Sequence, residues 1–237
     1  MTAPAKLDWR DDAVPDRYLG LWRRLSIEFP DGSGDIETVV NWLQSRRYYV
    51  DLRVPRLPIE TGGVETFSDL DAAALRAVAS QEAFAGTLRW QGESCAWRRP
   101  IDFRPPRPSP DEGDMRRDRR VLVEQGRHVD YVEHWWLEAP PEAELRVWAS
   151  NSERRIAVRL GTHFMIAEDR RPAAPEGDLV EQAVAARGDE GRLRALLDCE
   201  VSCGTIERER WTILRSTLPW REGQETSPPD ESEAIEE

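Results

Sequence analysis

The sequence predicts an all-β fold, an antiparallel meander of about ten or more strands closed into a barrel, with two short helices. Three observations predict it. Strand-like runs recur at short spacing, separated by Gly, Pro, Asn and Asp turns, with no regular alternation of strand and helix. A meander of that many strands must hide its edges, and closure does so fully. Ten Trp residues in 237 positions supply large, stiff side chains that suit strands.

The elements follow in order. Residues 1–17 are polar and read as a loose arm. Leu19 to Phe29 is a first strand, ended by Pro30-Asp31-Gly32-Ser33-Gly34. Glu37 to Gln44 and Tyr48 to Val54 form a hairpin around Ser45, Arg46 and Arg47, and Pro55 and Pro58 stop its second strand. Ser68 is placed to cap the start of a helix, with Asp71 three residues on, Leu70, Ala74, Leu75, Val78 and Ala79 form its apolar stripe, and Gly86 is placed to cap its end. Strands resume with Thr87–Gln91 and Ser94–Phe103 around Gly92-Glu93, and the Pro-rich run 104–110 interrupts them. Val121–Gln125, Asp130–Glu138, Leu145–Ser150, Arg154–Leu160 and Thr162–Glu168 follow. A second helix is capped by Asp178 with Glu181 and ended by Gly188. Ala195–Cys203 and Thr205–Leu218, joined at Gly204, close the series. Residues 18–220 therefore read as one domain, with a two-lobed division near 140 as the alternative. Residues 221–237, with seven acidic residues against one Arg, read as a disordered acidic tail.

Composition narrows the function classes. Net charge is -12 and no basic stretch reverses it, which argues against nucleic acid as a partner. The run Arg116 to Arg120, flanked by acids, reads as a solvated hairpin. No apolar run approaches the ~18 residues of a membrane span, so no membrane association is expected. The first 18 residues lack the apolar core of a signal peptide. Cys199 and Cys203 lie about 13 Å apart in a strand, beyond the ~7 Å reach of a disulfide. Free thiols and the missing leader together give the expectation of a cytoplasmic protein.

Gly20-Leu21-Trp22 opens the first strand and Arg210 to Thr217 forms the last. Together they resemble the G-x-W pattern of calycins, the lipocalin-like barrels. In that family the Trp lies across one barrel end, and a basic residue of the last strand packs on its face. The resemblance implies Arg215 for that contact, with Arg210 as the alternative. The runs Val40 to Gln44, Asp51 to Pro55, Tyr131 to Trp136 and Arg210 to Trp220 are further similar to an uncharacterised bacterial family. That family resembles a fungal lipocalin-like protein known for interacting with a casein kinase. The resemblance covers most of residues 18–220 and implies a fold, not a chemistry.

Calycin barrels bind ligands in the barrel mouth, so strand parity selects the candidates. Tyr49, Asp51 and Arg53 share one face of their strand, and Tyr48, Val50, Leu52 and Val54 the other. The apolar set is the natural core face, which leaves Asp51 and Arg53 outside as an ion pair. The sharper reading puts Tyr49 and Arg53 in a polar cavity that holds an anion. Around 134 both strand faces mix aromatic and ionisable groups. Trp42, Tyr49, Arg53, His134 and Trp136 are the ligand-binding candidates, and Trp90, Trp97 and Trp148 offer similar flat surface. His128, His134 and His163 have no metal-ligand spacing. His163 is a remote candidate for a haem ligand, and the cofactor stays unknown. No nucleophile motif or Gly-rich phosphate loop is present. The leading reading is a small-molecule binding protein for an apolar, aromatic or anionic ligand. A protein-interaction module with a filled barrel is the alternative. A barrel isomerase or decarboxylase is third and would need a buried carboxylate or His of shifted pKa.

Overall fold

The computed structural model describes residues 7–11, 13–61, 63 and 65–236. Two antiparallel sheets account for the strands. The first is built from β1 (Gly20–Glu28), β2 (Gly34–Asp35), β3 (Thr38–Gln44), β4 (Tyr48–Pro55), β5 (Glu82–Gln91), β6 (Ser94–Asp102), β7 (Glu112–Asp118), β8 (Val121–Gly126) and β9 (Val132–Ala139). Apart from the two-residue β2, each of these strands pairs with its neighbours in chain order, and β9 returns to β1. Eight strands thus close a barrel, and β2 lies outside it on the end of β1.

Gly20 makes the seam. Its φ is +123°, and a Cβ there would come within 2.7 Å of the Ala139 carbonyl oxygen and 2.8 Å of Leu137 Cδ1. Only a residue without a side chain lets the start of β1 lie that close to the end of β9.

The second sheet has the order β15-β14-β13-β12-β11-β10-β16. Its strands are β10 (Leu145–Ala149), β11 (Arg155–Leu160), β12 (His163–Asp169), β13 (Cys199–Glu207), β14 (Arg210–Ser216), β15 (Glu225–Thr226) and β16 (Ala234–Ile235). It packs across the outer wall of the barrel at β4. Val50, Leu52 and Val54 face Ile156, Val158, Met165, Ala167 and Val201 in one apolar layer. Three helices, α1 (Ala72–Ala79), α2 (Leu179–Ala185) and α3 (Glu190–Leu197), add Leu75, Val78, Leu179, Leu193 and Leu197 to it. The apolar face of β4 is therefore a core face, as its sequence implies, but that core lies outside the barrel. Tyr49, Asp51 and Arg53 consequently point inward, and the expected exposed ion pair is instead enclosed.

Arg171 ties the layers together. It is fully buried, bonds Asp169 Oδ1 at 2.8 Å, and donates to the carbonyls of Phe103 at 3.0 Å and Asp102 at 2.6 Å. Gln81 makes a second tie, donating to the Thr217 carbonyl at 2.9 Å.

Several expectations are corrected. The barrel closes with eight strands, and the remaining strands belong to the second sheet. Arg215 does not reach Trp22. It pairs with Glu222 at 3.0 Å and donates to the Pro55 carbonyl at 2.5 Å, while Arg117 of β7 lies over the Trp22 ring at 5.3 Å. The physical reason is the closure of β1 on β9, which leaves the last strands outside. The N-terminal segment is not loose where it is described. Val14, Tyr18 and Leu19 are buried in the barrel interior with Trp22, and Val14 N–H bonds the Arg46 carbonyl at 2.6 Å; residues 1–6 and 12 lie outside the described residues. Asp71 rather than Ser68 caps α1, accepting from Ala74 N–H at 2.7 Å. Gly86 lies in β5, because α1 ends at Ala79 and is capped at Ser80, six residues earlier. A third helix occupies residues read as the start of a strand, and the last hairpin turns at Arg208 and Glu209, both at positive φ, not at Gly204. The acidic tail, expected disordered, runs along the second sheet: Ile235 pairs with Val147, and Arg146 holds Glu231 at 2.8 Å. Arginine partners on the sheet offset the charge that favours disorder.

Candidate functional site

The barrel interior divides into two halves. At one end the hairpin turns meet the N-terminal segment. Arg17 donates to the Gly92 carbonyl, and Arg117 donates to the Arg17 carbonyl at 2.6 Å. Behind that contact Val14, Tyr18, Leu19, Trp22, Leu88 and Leu122 fill the space. The other half holds a cavity of about 690 Å³, whose lining includes the exposed Phe29, Arg56 and Val129.

Inward parity on each strand delivers the lining. β1 contributes Arg24, two residues after Trp22; β3 contributes Trp42; β4, Asp51 and Arg53; β5, Glu82 and Phe84; β6, Trp97 and Arg99. Glu124 of β8 lies directly opposite Glu133 of β9, and Leu122 opposite Trp135. Asp111 and Tyr131 enter from the segments preceding β7 and β9.

The floor is aromatic. Trp42 meets Trp135 edge-on at 5.6 Å and Trp97 at 6.1 Å, and it stacks on Trp22 at 6.1 Å. Trp42 Nε1 donates to Gln44 Oε1 at 3.1 Å, so the buried indole nitrogen has its partner. Charge surrounds this floor. Arg53 bonds Asp51 at 2.9 Å and Glu133 at 3.4 Å; Arg24 bonds Glu133 at 2.8 Å and Asp35 at 2.7 Å. Arg99 pairs with Asp111 and stacks over the Phe84 ring at 3.4 Å from its centre.

Burial and neighbouring charges shift these groups against one another. Burial raises the Asp51 carboxyl above its ordinary range, with Arg53 opposing. Burial works against the charged Arg53, but Asp51 and Glu133 outweigh it and hold the guanidinium firmly protonated. Burial raises the Glu124 carboxyl well above its usual range, and the Glu133 charge adds to it. Tyr131 Oη donates to Glu124 Oε1 at 2.7 Å and Trp135 Nε1 to Oε2 at 3.2 Å. Gly113 makes room for that side chain, since a Cβ there would sit 2.9 Å from Glu124 Cγ. Burial also raises Tyr49, whose hydroxyl donates to the Arg98 carbonyl at 3.3 Å.

Of the five candidates, Trp42 and Arg53 line the cavity, and Tyr49 is buried inside the barrel beside Phe84. His134 and Trp136 belong to the outer face. His134 Nδ1 lies 3.3 Å from Ser26 Oγ, and Arg120 covers the Trp136 ring at 5.4 Å. Their neighbours Glu133 and Trp135 take the inward places, because successive residues of β9 point to opposite sides of the wall. Glu124, Glu133, Trp135, Arg24 and Arg99 were not foreseen. One signal could have found Arg24: with Trp22 inside the barrel, parity carries Arg24 inside as well. His163 lies at the start of β12, in the second sheet, remote from this cavity. Among the described residues no group of three His, Cys, Asp or Glu side chains could hold a metal ion.

The fold and cavity define a closed eight-stranded antiparallel barrel protein with a second sheet packed on its wall. No family model and no curated protein matches the chain. Among solved structures, it is similar to the uncharacterised protein YLR301w of Saccharomyces cerevisiae, with 12% identity over 83% of this chain and 84% of that one and a TM-score of 0.48.

Proposed function

We propose that the protein is a calycin-type barrel that binds a small molecule in the open half of its interior. The cavity carries this reading. Its volume of about 690 Å³ falls in the range of ligand sites. Its Trp floor is the kind of surface such sites use, and the charged groups around it are paired with one another. A barrel filled throughout would serve an interaction module equally well, and the open half favours the binding protein. One observation favours a second reading, a barrel isomerase or decarboxylase. Glu124 is a buried carboxyl raised well above its usual range by burial and lies directly opposite Glu133, the kind of pairing that acid–base catalysis uses.

Native mass spectrometry of the protein as purified, repeated after denaturation, tests the binding reading. A mass excess that disappears on denaturation is expected, together with a change in Trp emission when flat aromatic probes are added. Replacing Trp42 by Ala should abolish both. No excess and no emission change would overturn the reading. Turnover of a ligand released in the first experiment would shift the assignment to the enzyme.

A further inference from the structure

The cavity is lined by seven carboxylates and five guanidiniums. Six of the carboxylates have an arginine at ion-pair distance: Asp35 and Glu133 on Arg24, Asp51 on Arg53, Asp111 on Arg99, Glu82 on Arg107, and Glu37 on Arg56. Among the described lining residues, Glu124 is the carboxylate left without one. It is 4% exposed, and its two hydrogen bonds come from neutral donors, Tyr131 and Trp135. A carboxylate offers about four acceptor positions, so roughly two remain for a ligand.

We propose that the cavity takes a flat aromatic amine or amidine, with its cation seated on the Glu124 carboxylate and its ring against Trp97. The proposal rests on the reading of the cavity as a small-molecule site and names the chemistry of the ligand. The half-buried Trp97 ring on the cavity wall attracts a cation and stacks with a flat ring, while Trp42 and Trp135, each 1% exposed, back it from within. An anionic ligand, the expectation attached to Arg53, fits poorly: Arg24, Arg53 and Arg99 already hold carboxylates, and an anion would have to break those pairs at the cost of leaving buried charges alone.

Protonation of Glu124 supports the assignment. Its carboxyl is pushed up by burial, by Glu133 on β9 and by Asp111 before β7, while Tyr131 and Arg53 pull it down. Cys95 on β6, itself pushed up mainly by burial, also faces it. In the empty barrel this proton neutralises the carboxylate, and a ligand cation takes its place. Binding therefore releases a proton, and affinity rises with pH.

Isothermal titration of the full chain with tryptamine, indole and indole-3-acetate, in two buffers of different ionisation enthalpy, tests this. Tryptamine is expected to bind about tenfold or more tightly than indole, and indole-3-acetate more weakly than indole. Tryptamine, but not indole, should release a proton. Glu124→Gln should bring tryptamine to the affinity of indole while indole is unaffected. Should that variant not fold, the ratio of tryptamine to indole affinity on the unaltered protein decides. Indole-3-acetate binding as tightly as tryptamine, or tryptamine binding no more tightly than indole, would overturn the cationic ligand and leave the binding site standing. Failure of all three probes to bind would overturn both.

Discussion

Arg53 bridges Asp51 and Glu133 on the inner wall of the barrel. Without it the buried Asp51 loses its arginine, while Glu133 keeps Arg24. Arg53→Met is therefore expected to cost about 3–5 kcal/mol, read from urea unfolding monitored by Trp emission. Unchanged stability would mean that water reaches the cluster. Glu124 gives a pH signature of opposite sense to most carboxylates. Its folded pKa lies above the unfolded value, so protonation stabilises the folded state, and that contribution fades as pH rises from the ordinary Glu range through the raised value. Glu124→Gln should flatten the loss of stability with rising pH in that window, measured by urea midpoints across the range. At this scale the sequence was half legible. Trp42 could be picked out by type, but parity set Asp51 and Arg53 outside because the apolar face of β4 reads as the core face, and β9 carries aromatic and ionisable groups on both faces, so composition could not choose Glu133 and Trp135 over His134 and Trp136. That choice is made by the register of β9 on β1, a long-range pairing.

Closure of β1 on β9 depends on one residue. A side chain at Gly20 would strike the backbone of Ala139 and would also have to adopt a φ that L residues avoid. Gly20→Val is expected to cost at least about 2 kcal/mol and to open the seam, raising hydrogen exchange along the facing edges of β1 and β9 above that of β11 and β12. Uniform exchange would show that the seam tolerates the change. The Asp71 cap is a milder test: Asp71→Ala should cost about 1 kcal/mol. One cap was legible, since Asp178 announces itself by side-chain chemistry, whereas at α1 the same chemistry pointed to Ser68 and the cap is Asp71. The third helix was not legible. Leu193, Leu196 and Leu197 run into Cys199 and Val201 with one residue, Asp198, between helix and strand, and no Gly or Pro marks the change.

The molecule as a whole is held by contacts between barrel and second sheet, and Arg171 is the most deeply placed of them. Arg171→Met leaves Asp169 without its buried partner and frees the Asp102 and Phe103 carbonyls. A loss of about 3–5 kcal/mol is expected, with unfolding by Trp emission no longer coincident with unfolding by far-ultraviolet dichroism. Coincident transitions would mean that the apolar layer alone couples the two sheets. The meander and its closure were readable from strand spacing, but the point of closure was not. Strand patterning records which residues face a core. It does not record that the core facing β4 lies outside the barrel. The seal made by Val14, Tyr18 and Leu19 at the far end has a practical consequence. The interior is a cul-de-sac, so whatever part of a guest enters last is the only part near water. A compound coupled to a bead or a dye will be retained only when its linker leaves from that trailing end.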